Sequence, residues 1–143
     1  MISRACLSAE HAVLDELAAK LLSLTATGTG PTPELSALRW QMSRVLIMHL
    51  AKEDQHLYPQ LRTKGGTRAA AVATRFADEM GGLSAAYLDY ANSWTPDRMM
   101  RDWRGFAADT RNIVLALRQR IMREERDLYP LIDEEDAPQA LSA

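Results

Sequence analysis

Four segments of this chain carry apolar residues at alternating steps of three and four, and three clusters of helix-breaking residues separate them. The breaks are residues 27–33 (TGTGPTP), 64–67 (KGGT) and 92–97 (NSWTPD), rich in the residues that cap helices or start turns. In the first segment Leu7, His11, Leu14, Ala18 and Leu21 form the stripe. Leu38, Met42, Val45, His49 and His56 form it in the second, and Val72, Phe76, Met80, Leu83, Tyr87 and Tyr90 in the third. The fourth runs through Met99, Trp103, Phe106, Thr110, Ile113, Leu117, Arg120, Glu124 and Leu128. Such spacing places one apolar face on each helix. Long helices joined by short loops pack as antiparallel neighbours. The reading is therefore all-α, an up-down-up-down antiparallel four-helix bundle forming one domain over residues 1–143, with helices near 3–27, 34–63, 67–92 and 96–133.

Composition agrees and narrows the function. Of 143 residues 41 are Ala or Leu and only 13 are Gly or Pro, which disfavours a sandwich or barrel. A net charge of −2 with no lysine-rich block argues against nucleic-acid binding. The absence of a long apolar run argues against a membrane span, and the chain reads as soluble and cytoplasmic. One cysteine, Cys6, leaves no internal disulfide or thiolate zinc site, and with three histidines any metal site must lean on carboxylates.

The stripes are not purely apolar. His11, His49, Glu53, Arg120 and Glu124 fall on or beside them, and a buried charge needs a partner or a metal. The stretch HLAKEDQHLYP at 49–59 returns as RIMREERDLYP at 120–130, 71 residues later, with its acid pair and LYP ending in register. An offset of 69 carries His11 onto Met80. Each half is thus an αα-hairpin with one marked position in its first helix and a pair four residues apart in its second. Histidine at i and glutamate at i+4 share a helical face, so two such helices can aim ligands at one interior point. Imidazole with carboxylate suits iron, zinc or manganese.

The early histidine, the H-x-x-x-E followed by LYP and the second E-E-x-x-LYP box resemble the hemerythrin-like HHE cation-binding family over roughly residues 5–133. That resemblance implies a four-helix bundle around a non-haem di-iron centre that binds oxygen, nitric oxide or iron. It matches His11 and His49 to the histidines of one iron, and Glu53 and Glu124 to the bridging carboxylates. Met80 and Arg120 stand where the second iron would need histidines. A thioether is a poor ligand for a hard ferric ion, and a guanidinium stays protonated. An intact di-iron centre is therefore not expected, and Arg120 is expected to replace the second cation by bridging carboxylates with its planar fork. The other four residues form either a site for one Fe, Zn or Mn ion or a metal-free hydrogen-bonded network.

Two functional readings follow. The first is a non-enzymatic metal- or ligand-responsive regulatory module, answering to a protein partner or a small diatomic ligand, with the arginines of the fourth helix as one candidate face for an acidic partner. The second is a working non-haem iron protein that binds oxygen, nitric oxide or iron, or consumes peroxide weakly, with substitute ligands from Glu79 or His56. No nucleophile motif or phosphate loop is present. The sequence leaves the oligomeric state open. His56 reads first as structural or solvent-facing, Glu79 as solvent-facing, Asp54 and Glu125 as pointing to the helix flanks, and Trp40, Trp94, Trp103, Tyr58 and Tyr129 as core and end-cap aromatics. Pro59 and Pro130 are expected to stop or kink their helices.

Overall fold

In the computed structural model, residues 2–136 are described. The first hairpin is α1 (Arg4–Thr27) and α2 (Pro33–Lys52), followed by a π-helical turn (Glu53–Leu57) and α3 (Tyr58–Lys64). The second comprises α4 (Thr67–Met80), α5 (Leu83–Ser93), α6 (Pro96–Arg101) and α7 (Trp103–Arg123), then a π-helical turn (Glu124–Leu128) and α8 (Tyr129–Asp136). α1 packs on α2 and α7, α5 on α7 and α2, and α3 on α4, closing an all-α bundle with no strand among the described residues. Among the described residues no helix is long and apolar enough to cross a membrane.

The helix starts are locally encoded. Ser3, Thr32 and Thr95 accept from the backbone N–H three residues on, and Pro33 and Pro96 occupy first-turn positions where the missing N–H costs nothing. Two expected helices are divided. The third breaks at Gly81 and Gly82, each costing about 1 kcal/mol in a helix relative to alanine. The fourth breaks at Asp102, whose carboxylate accepts from Gly105 N at 2.9 Å and starts a fresh helix.

Pro59 and Pro130 do not stop their helices. In each half the preceding tyrosine N–H bonds five residues back, Tyr58 to the Glu53 carbonyl and Tyr129 to the Glu124 carbonyl. This widened turn accommodates a proline that would clash with a tight α-helical turn and has no N–H to give. It also turns the LYP tyrosines inward: Tyr58 and Tyr129 are buried, while His56 faces solvent.

The core lies in two apolar clusters. One gathers Leu14, Leu21, Leu46, Trp94, Phe106 and Leu117, and the other Leu7, Leu57, Phe76, Leu128 and Ile132. Each fully buried Leu or Phe contributes about 1.5–3 kcal/mol. His11, His49, Glu53, Arg120 and Glu124, all buried, lie at the levels of the helices where one cluster gives way to the other. Trp40, expected in the core, is instead 65% exposed beneath the Arg44 guanidinium. It stands two residues after Leu38, off the buried stripe of α2.

Candidate metal centre

The polar layer draws its side chains from three elements and the two π-turns. α1 supplies His11, the last turn of α2 supplies His49, α7 supplies Arg120, and Glu53 and Glu124 open the two π-turns. His11, His49, Glu53 and Glu124 each direct one donor atom so that all four atoms lie within 4.8 Å of one another. Donors bound to one ion at about 2.0–2.2 Å lie up to roughly twice that length apart, so the set is close to closing on a single cation.

Each imidazole is oriented by a carboxylate on its outer nitrogen. His49 Nδ1 meets Glu10 Oε1 at 2.7 Å, and His11 Nδ1 meets Glu125 Oε1 at 2.8 Å. In the neutral rings these are Nδ1–H donors, leaving both Nε2 lone pairs aimed inward, the arrangement found around metal-bound histidines. His49 Nε2 lies 3.1 Å from Glu53 Oε1 yet makes no hydrogen bond, and it is buried. His11 Nε2 lies 3.1 Å from Glu124 Oε1 and 2.9 Å from Tyr129 Oη. The donors in the layer are committed to the two carboxylates and not to the imidazoles. Tyr129 Oη donates to Glu53 Oε2 at 2.6 Å, Tyr58 Oη to Glu124 Oε2 at 2.7 Å, and Arg120 to both glutamates. Inward-facing lone pairs therefore collect on the histidine side, and a cation there relieves them, so these residues fit a metal ion.

The opposite side holds its own cation. Arg120 donates from Nε to Glu124 Oε2 at 3.1 Å, and from Nη2 to Glu53 Oε1 at 3.2 Å and Asp54 Oδ1 at 2.9 Å. Its Nη1 donates to the Met80 carbonyl at 3.2 Å. The break after α4 frees that carbonyl from its helical partner, and the guanidinium caps it. Met80 thus meets the layer through its backbone, and Arg120 bridges the two carboxylates as its planar fork predicts.

Charge in the layer follows from burial and pairing. Burial favours the neutral forms throughout. It raises Glu124, and the neighbouring Glu53 charge raises it further, against the lowering effect of His11 and Arg120. Burial opposes ionisation of Glu53 too, but His49 and Arg120 prevail and hold it below its ordinary value. One carboxylate therefore carries its charge more readily than the other. Burial opposes charge on His49, yet the Glu53, Glu10 and Glu124 carboxylates hold it above the ordinary imidazole value. Burial, reinforced by the carboxylates, pushes the Tyr58 and Tyr129 phenols up, so both are protonated hydrogen-bond donors when no ion is bound.

Five residues were not assigned to the site from the sequence. Glu10 and Glu125 orient the histidines, and Asp54 takes part of the guanidinium, so Asp54 and Glu125 serve the layer instead of pointing to the flanks. Tyr129 and Tyr58 are core aromatics, as read, whose hydroxyls also reach across to the other half's glutamate. The signal for the tyrosines was present: the same tyrosine closes both repeats, and a buried phenol needs a partner. Glu79 pairs with Arg123 and is 45% exposed, so neither it nor His56 joins the layer.

No curated protein and no solved structure matches this chain. Residues 4–132 match the hemerythrin HHE cation-binding domain, nearly the whole sequence. With that match, the helical bundle and its inward His/Glu cluster, the chain belongs to the hemerythrin HHE cation-binding domain family.

Proposed function

We propose that the protein is a hemerythrin-like binding module holding one metal ion, Fe, Zn or Mn, on His11, His49, Glu53 and Glu124, with Arg120 in place of the second cation. One observation carries this reading: a buried guanidinium spans Glu53 and Glu124, the carboxylates that would bridge a metal pair. A guanidinium neither ligates nor changes oxidation state, so two-metal redox chemistry has no second centre. A regulatory or sensing role, in which metal occupancy or a small ligand alters the module, suits such a site better than peroxide turnover.

A bound ion would supply a Lewis-acidic position for a small ligand. A cavity of about 240 Å³, lined by residues including Met80, Leu83, Ile113, Ala116, Gln119 and Arg120, adjoins the layer on its arginine side. Elemental analysis of purified protein after loading with Fe(II), Zn(II) or Mn(II) tests it. One ion per chain without oxo-bridge absorption is expected, and two irons per chain with those bands would overturn it.

A further inference from the structure

The two LYP tyrosines hold equivalent places in the repeats but meet different surroundings. Tyr58 lies on the arginine side: its Oη donates to Glu124 and its ring lies 5.3 Å from the Arg120 guanidinium carbon. A cation built into the chain already fills that side. Tyr129 lies on the histidine side, its ring stacked on His11 with centroids 5.0 Å apart and planes within 10°. Its buried Oη is 2.6 Å from Glu53 Oε2 and 2.9 Å from His11 Nε2.

The geometry points to Tyr129 as a fifth ligand of the single metal site, binding ferric iron through its phenolate oxygen beside His11 and Glu53. This inference rests on the single-metal reading above. Two donors at right angles on one ion, each bonded at about 2.1 Å, lie roughly 3 Å apart. The separations from Tyr129 Oη to His11 Nε2 and Glu53 Oε2 are close to that edge. The phenol has one proton to offer two acceptors, because the His11 Nδ1 proton is directed to Glu125.

Charge selects the oxidation state. Glu53, Glu124 and a Tyr129 phenolate supply three negative charges, matching Fe(III), while Asp54 balances Arg120 at 2.9 Å. A hard phenolate oxygen suits a ferric ion, and tyrosine serves as an axial iron ligand in catalase. On ligation the Tyr129 O–H bond breaks, an O–Fe bond forms and the proton leaves to water. Iron supplied as Fe(III) needs no oxidant.

The pseudo-symmetry provides the control. Chelator-treated full-length wild type, Tyr58→Phe and Tyr129→Phe are each titrated with ferric nitrilotriacetate, and bound iron and visible absorption are measured. Expected is one iron per chain with a phenolate-to-iron charge-transfer band in wild type, and the same band in loaded Tyr58→Phe, whose lost hydrogen bond to Glu124 weakens iron binding without removing the phenolate. Tyr129→Phe is expected to bind iron roughly 10-fold or more weakly and to lack the band. A band that persists in loaded Tyr129→Phe, or iron-loaded wild type without one, removes Tyr129 from the ligand set and leaves the single-metal reading standing. Wild type that takes up no iron overturns both. If Tyr129→Phe does not fold, resonance Raman of loaded Tyr58→Phe decides. Excitation in the band must enhance phenolate ring modes, and their absence overturns the assignment, because Tyr87 and Tyr90 lie in the other apolar cluster.

Discussion

Arg120 Nε stands 3.1 Å from Glu124 Oε2, one helical turn apart, repeating the 3.1 Å relation of His49 Nε2 to Glu53 Oε1 in the other half. The two hairpins present the same i,i+4 pair to the same layer, but one pair ends in a lone pair and the other in a permanent cation. On the proposed reading, that difference leaves a place for an ion on one side and sets a guanidinium on the other.

Replacing the guanidinium should restore a second site. Met80→His combined with Arg120→His is expected to raise iron uptake from one to two ions per chain and to introduce oxo-bridge absorption in the near ultraviolet. Unchanged uptake in a folded double variant would show that the second half-site has lost more than its ligands. The division of the third helix at Gly81 and Gly82 is the first place to look for that loss.

Arg120 also carries stability. Arg120→Leu leaves Glu53, Glu124 and Asp54 without their shared partner, and breaking a buried ion pair from one side costs about 3–5 kcal/mol. Urea denaturation of the metal-free variant should show a loss of that size. Arg120→Lys should recover only part of it, since an ammonium cannot reproduce the planar fork. A loss under about 1 kcal/mol would mean that the cluster holds together without the guanidinium.

The carboxylates behind the histidines should tune affinity without setting stoichiometry. Glu10→Gln and Glu125→Gln each keep the side-chain shape but weaken the hold on His49 Nδ1 and His11 Nδ1. Each is expected to lower zinc affinity about 10- to 100-fold while one ion per chain still binds. Glu79→Gln, which disturbs only the Arg123 pair, is the matched control. Equal affinities across all three variants would contradict the outer-carboxylate role.

Metal affinity should rise with pH. Binding requires neutral His49, and carboxylates hold this ring protonated above its ordinary value of 6.5. Glu124, also raised, has the same sign, because its proton too must leave before both oxygens can act. Apparent zinc affinity should therefore increase from pH about 6 to 8, by up to about tenfold per pH unit for each proton displaced. Calorimetry in buffers of different ionisation heat should detect the released protons. A flat profile would show that the site is already deprotonated at pH about 6.

What the sequence determined by itself is what repeats along a helix. The 3/4 spacing of Leu7, Leu14 and Leu21 established the buried face of α1, the breaks at 27–33 and 92–97 separated the helices, and the paired LYP boxes placed His49 with Glu53 and Arg120 with Glu124. All of these are short-range consequences of chain geometry and capping chemistry. The tertiary structure decided what depends on distance across the bundle. Glu10 reaches His49 from another helix, Tyr58 and Tyr129 cross to the opposite half's glutamate, and Arg120 reaches the Met80 carbonyl because α4 ends there. No spacing rule encodes these contacts, since they arise where burial leaves a polar atom that only a side chain from another segment can satisfy.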